Sequence, residues 1–276
     1  MRLAIRDKIL KDTDLKECYE PNVPDKQTQK PYAVTVFKDD TDNGEVLGFK
    51  RSIEIWIYDE RLSFKSLDKL AEDIIKSLDL KSITDPKIGE NFTCRFDGIV
   101  GQDVVDEEWN AIAKGLKFTV IALHDEQEEN TDKWLNALSD FTKDITEWPV
   151  YLNNWKSNFE VPSILWRVQK QSKERESNTL VKENKTLVCH IVSESKSEIS
   201  KLIDIIEDNL IDSLKIPYDL ADRRYLTIES INEDREADML TKGQLTVEFF
   251  RRRMVKKEES NTIEEINGIG ILKEVW

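Results

Sequence analysis

Residues 31–38 read Pro-Tyr-Ala-Val-Thr-Val-Phe-Lys, and residues 162–170 read Pro-Ser-Ile-Leu-Trp-Arg-Val-Gln-Lys. In both stretches a proline opens a run of β-branched and aromatic residues, which is typical of a strand. A polar, charged excursion follows each stretch, then an apolar run and a segment with helical spacing. The same elements recur in the same order about 130 residues apart. They predict a duplicated domain, because solenoid repeats have periods of only about 20–50 residues.

Each half also closes on a similar strand. Residues 114–120 read Lys-Gly-Leu-Lys-Phe-Thr-Val, and residues 242–249 read Lys-Gly-Gln-Leu-Thr-Val-Glu-Phe. An acidic stretch precedes each strand, at 103–108 and at 233–238, where it can form the tip of a hairpin. The two Lys-Gly pairs are therefore expected to be equivalent positions.

The helical segments of the two halves match as well. The first follows Ser66, whose side chain is expected to cap the helix by accepting a hydrogen bond from an early backbone N–H group. A further amphipathic helix is expected at the start of each half. Apolar residues of the two inner helices recur at three- and four-residue spacing. The matched pairs are Leu67 with Ile199, Leu70 with Leu202, Ala71 with Ile203, Ile74 with Ile206 and Leu78 with Leu210.

These elements predict an α+β fold made of two tandem copies of a small domain. Each copy is expected to hold one helix, two strands, one helix and two strands, arranged as an antiparallel sheet covered on one face by two helices. The domains are expected at residues 1–123 and 133–276, the second with a C-terminal arm. Residues 124–132 form a polar run without apolar residues, which is typical of a linker.

The acidic composition limits the class of partner. The chain has 276 residues and a formal net charge of −14, whereas proteins that wrap nucleic acid usually carry a basic patch. No apolar run approaches the ~20 residues of a membrane span, so no membrane partner is expected. Cys18, Cys94 and Cys189 are odd in number and far apart, and are expected to be reduced and partly buried.

The sequence contains no recognisable catalytic motif. Gly268 and Gly270 lack the third glycine of a phosphate-binding loop, and the histidines and cysteines lack the spacing of zinc ligands. The carboxylates at Asp59-Glu60 and 106–108 are interpreted as solvated charge, because a general acid needs burial or a charged neighbour to shift its pKa. We therefore expect no enzymatic activity, no cofactor and no metal.

Residues 51–58 alternate sharply between two faces of a strand. Ile53, Ile55 and Ile57 lie on one face, while Trp56 and Tyr58 lie on the other. Two interpretations remain open. Either the aromatic pair completes the core and the isoleucines face outward, or Trp56 and Tyr58 form an interaction surface.

The other candidate interface residues are charged or aromatic. For the arginines, one interpretation is a solvated strand end and the other is a contact with an acidic partner. The set comprises Asp106, Glu107 and Trp109 at the expected hairpin tip, the basic run Arg251, Arg252 and Arg253, and the terminal Trp276.

The order of the motifs resembles the tail-terminator, or tail-completion, proteins of long-tailed bacteriophages. The resemblance is carried by residues 29–37, 50–59, 66–78 and 115–120. It covers about residues 1–123 directly and the second half through the repeat. Single-domain members are about half this length, and the second half lacks the Pro-Tyr and Trp-Ile-Tyr motifs. Two domains in one chain look more like the form in contractile-tailed phages.

The resemblance implies a structural virion protein that caps the tail tube as a ring and joins the tail to the head connector. It implies a homohexamer that contacts the tail tube and, in a contractile tail, the sheath protein. DNA would pass through an acidic lumen without specific binding. The protein would be made in the host cytoplasm and reside at the tail–neck junction.

The leading alternative belongs to another class of protein. An acidic surface suits an intracellular adaptor or immunity-type binding protein that neutralises a basic protein partner. Assembly distinguishes the two, since an adaptor can be monomeric and a terminator must close a ring.

Overall fold

The computed structural model describes residues 1–42, 48–124, 132–213 and 215–255. These residues form an α+β structure with four helices and two six-stranded sheets. The first half contains α1 (Arg2–Asp12), β1 (Glu17–Tyr19), β2 (Tyr32–Asp42), β3 (Phe49–Glu60), α2 (Phe64–Leu78), β4 (Ser82–Thr84), β5 (Asn91–Asp106) and β6 (Ala111–Leu123). The second half contains α3 (Lys133–Ile145), β7 (Val150–Leu152), β8 (Ser163–Arg175), β9 (Leu180–Val192), α4 (Lys196–Ser213), β10 (Lys215–Asp219), β11 (Arg224–Glu233) and β12 (Leu245–Met254).

The two sheets have the same strand order. The first is β1-β2-β3-β6-β5-β4, and the second is β7-β8-β9-β12-β11-β10. The expectation of a purely antiparallel sheet is wrong at one edge of each sheet, where β1 pairs with β2, and β7 with β8, in parallel. The expected count of four strands in each half is wrong as well. The strands missed, β1, β4, β7 and β10, have only three to five residues, too few to establish a period.

One irregularity of the strands also recurs at a matching place. The register between β2 and β3 shifts after Phe37, and the register between β8 and β9 shifts after Val168. These two shifts coincide, whereas the shifts after Phe96 in β5 and after Ile228 in β11 lie two residues apart on the aligned strands β6 and β12. Because bulges tend to be kept within related folds, the agreement of the first pair is what a duplicated unit predicts.

The matched helical positions are buried in both halves. All ten residues of the five matched pairs belong to the buried core clusters. Ile53, Ile55 and Ile57 are fully buried in the first cluster, together with residues of α1 and α2. The interpretation in which these isoleucines face outward is therefore wrong, and Trp56 and Tyr58 lie on the opposite face.

The N-cap of α2 is Ser63 rather than Ser66. The Ser63 side chain accepts a hydrogen bond from the backbone N–H of Lys65. Ser66 lies in the first turn, where its hydroxyl donates to Asp59 Oδ2 at 2.7 Å. Asp59 is buried and also accepts from the backbone N–H of Glu60. Its interpretation as solvated charge is wrong, because this carboxylate ties the end of β3 to α2.

The two Lys-Gly pairs are not equivalent. Leu116 lies opposite Ile55, and Leu245 lies opposite Cys189 at the corresponding place in the second sheet. Gly115 is thus one residue out of register with Gly243. Gly115 lies within β6, while Gly243 lies in the turn before β12 with φ +81°. The glycine of the Lys-Gly pair therefore has a different backbone conformation in each half.

A third apolar cluster joins the two halves. The indole N–H of Trp155 donates to the carbonyl of Leu240 at 3.2 Å. Lys50 Nζ, from the first half, donates to Thr241 Oγ1 at 3.2 Å. His124 pairs with Lys156 in a short bridge; residues 125–131 of the expected linker lie outside the described residues. The buried members of the cluster are Leu80, Ile121 and Leu123 from the first half and Trp155, Phe159, Leu165, Val192 and Leu240 from the second.

Candidate interaction surfaces

The sheet face opposite the buried isoleucines of β3 differs from the equivalent face of the second half. In the second half this face is covered, because Leu165 lies in the junction cluster with Trp155 and His190 contacts the same indole ring. Strand pairing gives the equivalents in the first half. Val34 lies opposite Trp56, just as Leu165 lies opposite His190, three residues before the matching register shift.

In the first half the equivalent face forms an open cleft of about 580 Å³. We refer to it as the aromatic cleft. Its floor comes from β2 and β3, one wall from the β1–β2 connection and the other from the β5–β6 hairpin. The lining residues are Pro21, Asn22, Pro24, Tyr32, Val34, Val36, Trp56, Tyr58 and Trp109.

The rings on the cleft floor are packed together. Tyr32 stacks on Tyr58 with centroids 5.0 Å apart, and Tyr19 meets Tyr32 edge-on at 5.7 Å. Burial raises the pKa of Tyr32 to about 12, with further contributions from Tyr58 and Asp106. The hydroxyl of Tyr32 is buried and makes no hydrogen bond to any described residue. The cleft floor therefore contains a phenol hydroxyl that has no acceptor among the described residues and that is reached only if its surroundings move.

The β5–β6 hairpin places Trp109 beside this floor. Asp106 Oδ1 accepts a hydrogen bond from the backbone N–H of Trp109 at 2.9 Å, which fixes the turn. Glu107 pairs with Arg61 at 3.3 Å on the exposed side of the tip. Of the predicted residues, Trp56, Tyr58 and Trp109 therefore meet in the cleft, Asp106 lies at its edge, and Glu107 lies outside it.

Sequence reasoning missed the other lining residues. By themselves, Pro21 and Pro24 indicate only a loop, and Tyr32 and Val34 belong to the run that predicts a strand. Their joint position depends on β2 pairing with β3, which no local pattern contains. The prolines that precede β2 were the available signal for a binding cleft, because loops held by a rigid scaffold often carry binding residues.

The three arginines of the basic run pair with two different carboxylates. Arg251 and Arg253 lie on the same face as the buried Phe249, and both pair with Glu183. Arg252 lies on the opposite face and pairs with Glu176 at 2.8 Å. Successive side chains of a strand point to opposite faces, so the run is divided between two carboxylates, although all three arginines line one groove at the end of β12.

Glu183 is the buried centre of this ion cluster. Burial alone raises the pKa of its carboxyl, but hydrogen bonds from Arg253 and Arg251 outweigh burial and the pKa lies below its ordinary value. Lys173 approaches the same carboxylate at 3.8 Å. The arginines at the end of β12 are thus bound to carboxylates of the same chain, which neutralise only part of their positive charge.

A second groove, of about 480 Å³, lies at this end of the second sheet. We refer to it as the arginine groove. Its five arginines outnumber the three carboxylates paired with them, Glu176, Glu183 and Asp222. Tyr225 and Met254 are 43% and 66% exposed there. The lining residues are Tyr218, Arg223, Arg224, Tyr225, Thr227, Arg251, Arg252, Arg253 and Met254.

The remaining candidates for chemistry have structural environments. His190 Nε2 accepts from Arg167 at 2.8 Å and Nδ1 lies 3.0 Å from the carbonyl of Met239; burial lowers its pKa to about 3. Burial raises the pKa of all three cysteines, Cys18, Cys94 and Cys189. Trp276 lies outside the described residues.

The part of the chain that the structure describes contains neither a candidate metal site nor a helix able to span a membrane. No group of three or more His, Cys, Asp and Glu side chains there is arranged to hold a metal ion. None of the helices there is long and apolar enough to cross a membrane.

Comparison with known proteins adds no assignment. The sequence matches no model of a protein family, and it matches no curated protein. The functional conclusion therefore depends on the residues and surfaces of this chain.

Proposed function

We propose that this chain is a structural virion protein that assembles as a closed ring on the end of a phage tail tube and joins the tail to the head connector. A ring built from one kind of subunit uses a heterologous contact, so each subunit needs two different complementary patches. The observation that carries the proposal is the presence of two unlike surfaces on opposite halves. The aromatic cleft lies on the first half and the arginine groove on the second.

The different roles of the two sheet faces in each half support the same function. Two helices cover one face of each sheet in this proposal. Ile5 of α1 and Ile74 of α2 share the buried cluster of Ile55 in β3, and Leu135 of α3 and Ile206 of α4 share the cluster of β9. The other face is then available for contacts. In the first half it is used for a partner, and in the second it is used for the junction between the halves.

Charge supports a lumen that DNA passes without binding. The chain has a net charge of −14, and acidic walls repel phosphate. An arginine-lined lumen would hold DNA instead. Arg251, Arg252 and Arg253 are paired with Glu183 and Glu176, so their positive charge is partly compensated within the subunit.

Native mass tests the proposal. Light scattering over a range of concentrations, with negative-stain images, is expected to give a ring of six copies, either alone or after addition of tail tubes. Tail tubes stripped of their end proteins are the substrate, and tubes with intact ends are the matched control. A protein that stays monomeric and ignores stripped tubes overturns the proposal.

One observation favours the adaptor as a second candidate. The exposed side of α4 carries Asp204, Glu207 and Asp208 close to Glu233. Burial raises the pKa of Glu207, and Glu233 and Asp208 raise it further. Arg235 pairs with Asp204 and Glu233, which leaves Glu207 and Asp208 as the acids there without an ion pair to a described residue. Such a surface suits a basic protein partner. Expected support is a stable one-to-one complex with a basic protein that is lost after Glu207→Lys and Asp208→Lys substitution.

A further inference from the structure

The second half shows what fills the space that is open in the first. Trp155, 1% exposed, packs against Phe159 at 5.2 Å and His190 at 6.3 Å between ring centroids. His190 is the equivalent of Trp56 in the aromatic cleft. Trp155 and Phe159 both come from the connection between β7 and β8, which folds over the sheet of the second half.

The corresponding connection of the first half has no ring to offer. Residues 20–31, between β1 and β2, contain prolines and polar residues but no aromatic residue. Pro21 and Pro24 therefore wall the cleft without filling it. The aromatic cleft is shaped like a site whose aromatic side chain must come from another segment.

The arginine groove carries side chains that fit such a site. Tyr225 is an exposed aromatic ring and Met254 an exposed, flexible apolar side chain. Methionine makes favourable contacts with aromatic rings, and guanidinium groups pack on the faces of tryptophan and tyrosine. This chain already uses that contact, with Arg252 5.3 Å from the Phe250 ring centroid.

Charge on the two surfaces is complementary. The cleft is bordered by the acidic hairpin tip with Asp106, Glu107 and Glu108. Arg61 and Lys26 pair with two of these acids, so the tip retains a negative excess. The arginine groove has the opposite excess. Complementary patches of this kind steer association and fix its register.

We infer that the arginine groove of one copy docks in the aromatic cleft of a second copy, with Tyr225 and Met254 entering between the rings of Trp56 and Trp109. This contact rests on the proposed ring and names its interface. Each copy that docks leaves one cleft and one groove free at the ends of the pair. Addition of further copies continues until the ring closes.

Complementation between two variants tests the contact. The cleft variant carries Trp56→Ala and Trp109→Ala, and the groove variant carries Tyr225→Ala and Arg252→Glu. Each variant alone is expected to associate about tenfold or more weakly than the wild type, because interface aromatics and arginines dominate binding. An equal mixture is expected to form dimers and no rings, since it contains one intact pair of surfaces. Light scattering and mass photometry measure the masses, under the conditions in which the wild type assembles.

Controls separate the contact from folding. Ile88→Ala and Ile211→Ala replace residues that are 63% and 53% exposed and line neither groove, so wild-type assembly is expected for both. Thermal unfolding and circular dichroism of every variant confirm that it folds. Full assembly of both folded variants overturns the contact and leaves the ring function standing. A wild type that remains monomeric even with stripped tubes overturns both.

The competing occupant of the cleft is the C-terminal segment, residues 256–276, which ends in Trp276. A chain ending at Val255 distinguishes the two. Loss of assembly in that chain, together with full assembly of the groove variant, assigns the cleft to the C-terminal segment and overturns the inference. Retained assembly of the truncated chain, together with loss in the groove variant, supports it.

Discussion

The two halves build the same sheet and use its second face in opposite ways. The second half folds the connection between β7 and β8 over that face and buries Trp155 and Phe159 on it. The first half leaves the face open, and its connection contributes only Pro21, Asn22 and Pro24 to the rim. One loop therefore decides whether this face of the sheet is buried in the junction or remains open.

The largest effect is expected from removing the ring that covers the second face. Trp155→Ala is expected to lower the free energy of unfolding by about 4 kcal/mol, because it leaves a cavity in the junction and removes the hydrogen bond to Leu240. Urea denaturation measures the change. The matched control is Trp56→Ala on the open face, expected to cost only about 1 kcal/mol.

Equal costs for the two tryptophan substitutions would contradict the difference between the covered face and the open face. They would mean that the first face is as much a part of the core as the second. A small cost for Trp155→Ala would instead show that the junction contributes little to folding, and that the two halves unfold independently.

The misaligned glycines give the next effect. A Cβ at Gly243 would lie 2.7 Å from the Cys189 carbonyl oxygen and would also clash with Val188, in a conformation with positive φ. Gly243→Ala is therefore expected to cost about 3 kcal/mol. Gly115→Ala would place its Cβ 2.9 Å from the Val100 Cβ, which is fixed to the backbone, and 3.1 Å from the Trp56 ring. Because φ at Gly115 is not positive, this change is expected to cost less, about 2 kcal/mol.

Urea unfolding of the two alanine variants measures this difference. If Gly115→Ala is as costly as Gly243→Ala, the two glycines have the same role and the one-residue offset between the halves is wrong.

Agreement between sequence and structure is best where periodicity is long. The apolar positions of α2 and α4 extend over several turns, so their buried faces follow from spacing alone. The isoleucines of β3 were placed on one face by alternation, but only their cluster with residues of α1 and α2 shows that this face is the buried one.

Failures of the sequence reasoning have local causes. Ser66 has the right residue type for a cap, yet Ser63, three residues earlier, is the one that α2 uses. Three consecutive arginines look equivalent in the sequence, yet the pleat of β12 pairs Arg251 and Arg253 with Glu183 and Arg252 with Glu176. The cleft itself joins a proline loop, two strands and a hairpin tip, so no single segment of the sequence contains it.

A pH-dependent effect is expected at the ion cluster, which has no counterpart in the first half, where the equivalent of Glu183 is Phe49. Glu183→Gln leaves Arg251 and Arg253 without a charged partner and is expected to cost about 2 kcal/mol at neutral pH, less than a fully buried pair because the arginines are partly exposed. The pKa of Glu183 is lowered in the folded protein. Its contribution is therefore complete above the ordinary glutamate pKa and is lost as the pH falls through the lower folded value.

Unfolding of both proteins between pH 3 and 7 measures this contribution. The difference between wild type and Glu183→Gln is expected to stay constant above about pH 5 and to shrink below about pH 4.5. A difference that grows on acidification would contradict the assigned ion cluster.

The smallest effect on stability is expected at a pair of equivalent hydroxyls. Tyr32 and Ser163 occupy matching positions next to the parallel edge strands, and each has a buried hydroxyl without a hydrogen bond to any described residue. Removing a buried unsatisfied polar group is neutral or stabilising. Tyr32→Phe and Ser163→Ala are therefore each expected to change the free energy of unfolding by less than about 1 kcal/mol.

Association separates the two positions that stability does not. Ser163 lies in the half whose face is covered, so Ser163→Ala is expected to assemble like the wild type. The Tyr32 ring lines the open cleft, and docking that uncovers its buried hydroxyl gives that hydroxyl an acceptor, so Tyr32→Phe is expected to weaken assembly by about fivefold. Light scattering of the two variants over a dilution series makes the measurement. Equal assembly of both would show that the Tyr32 hydroxyl is an unused remnant of packing, and that only ring faces and charge define the open surface.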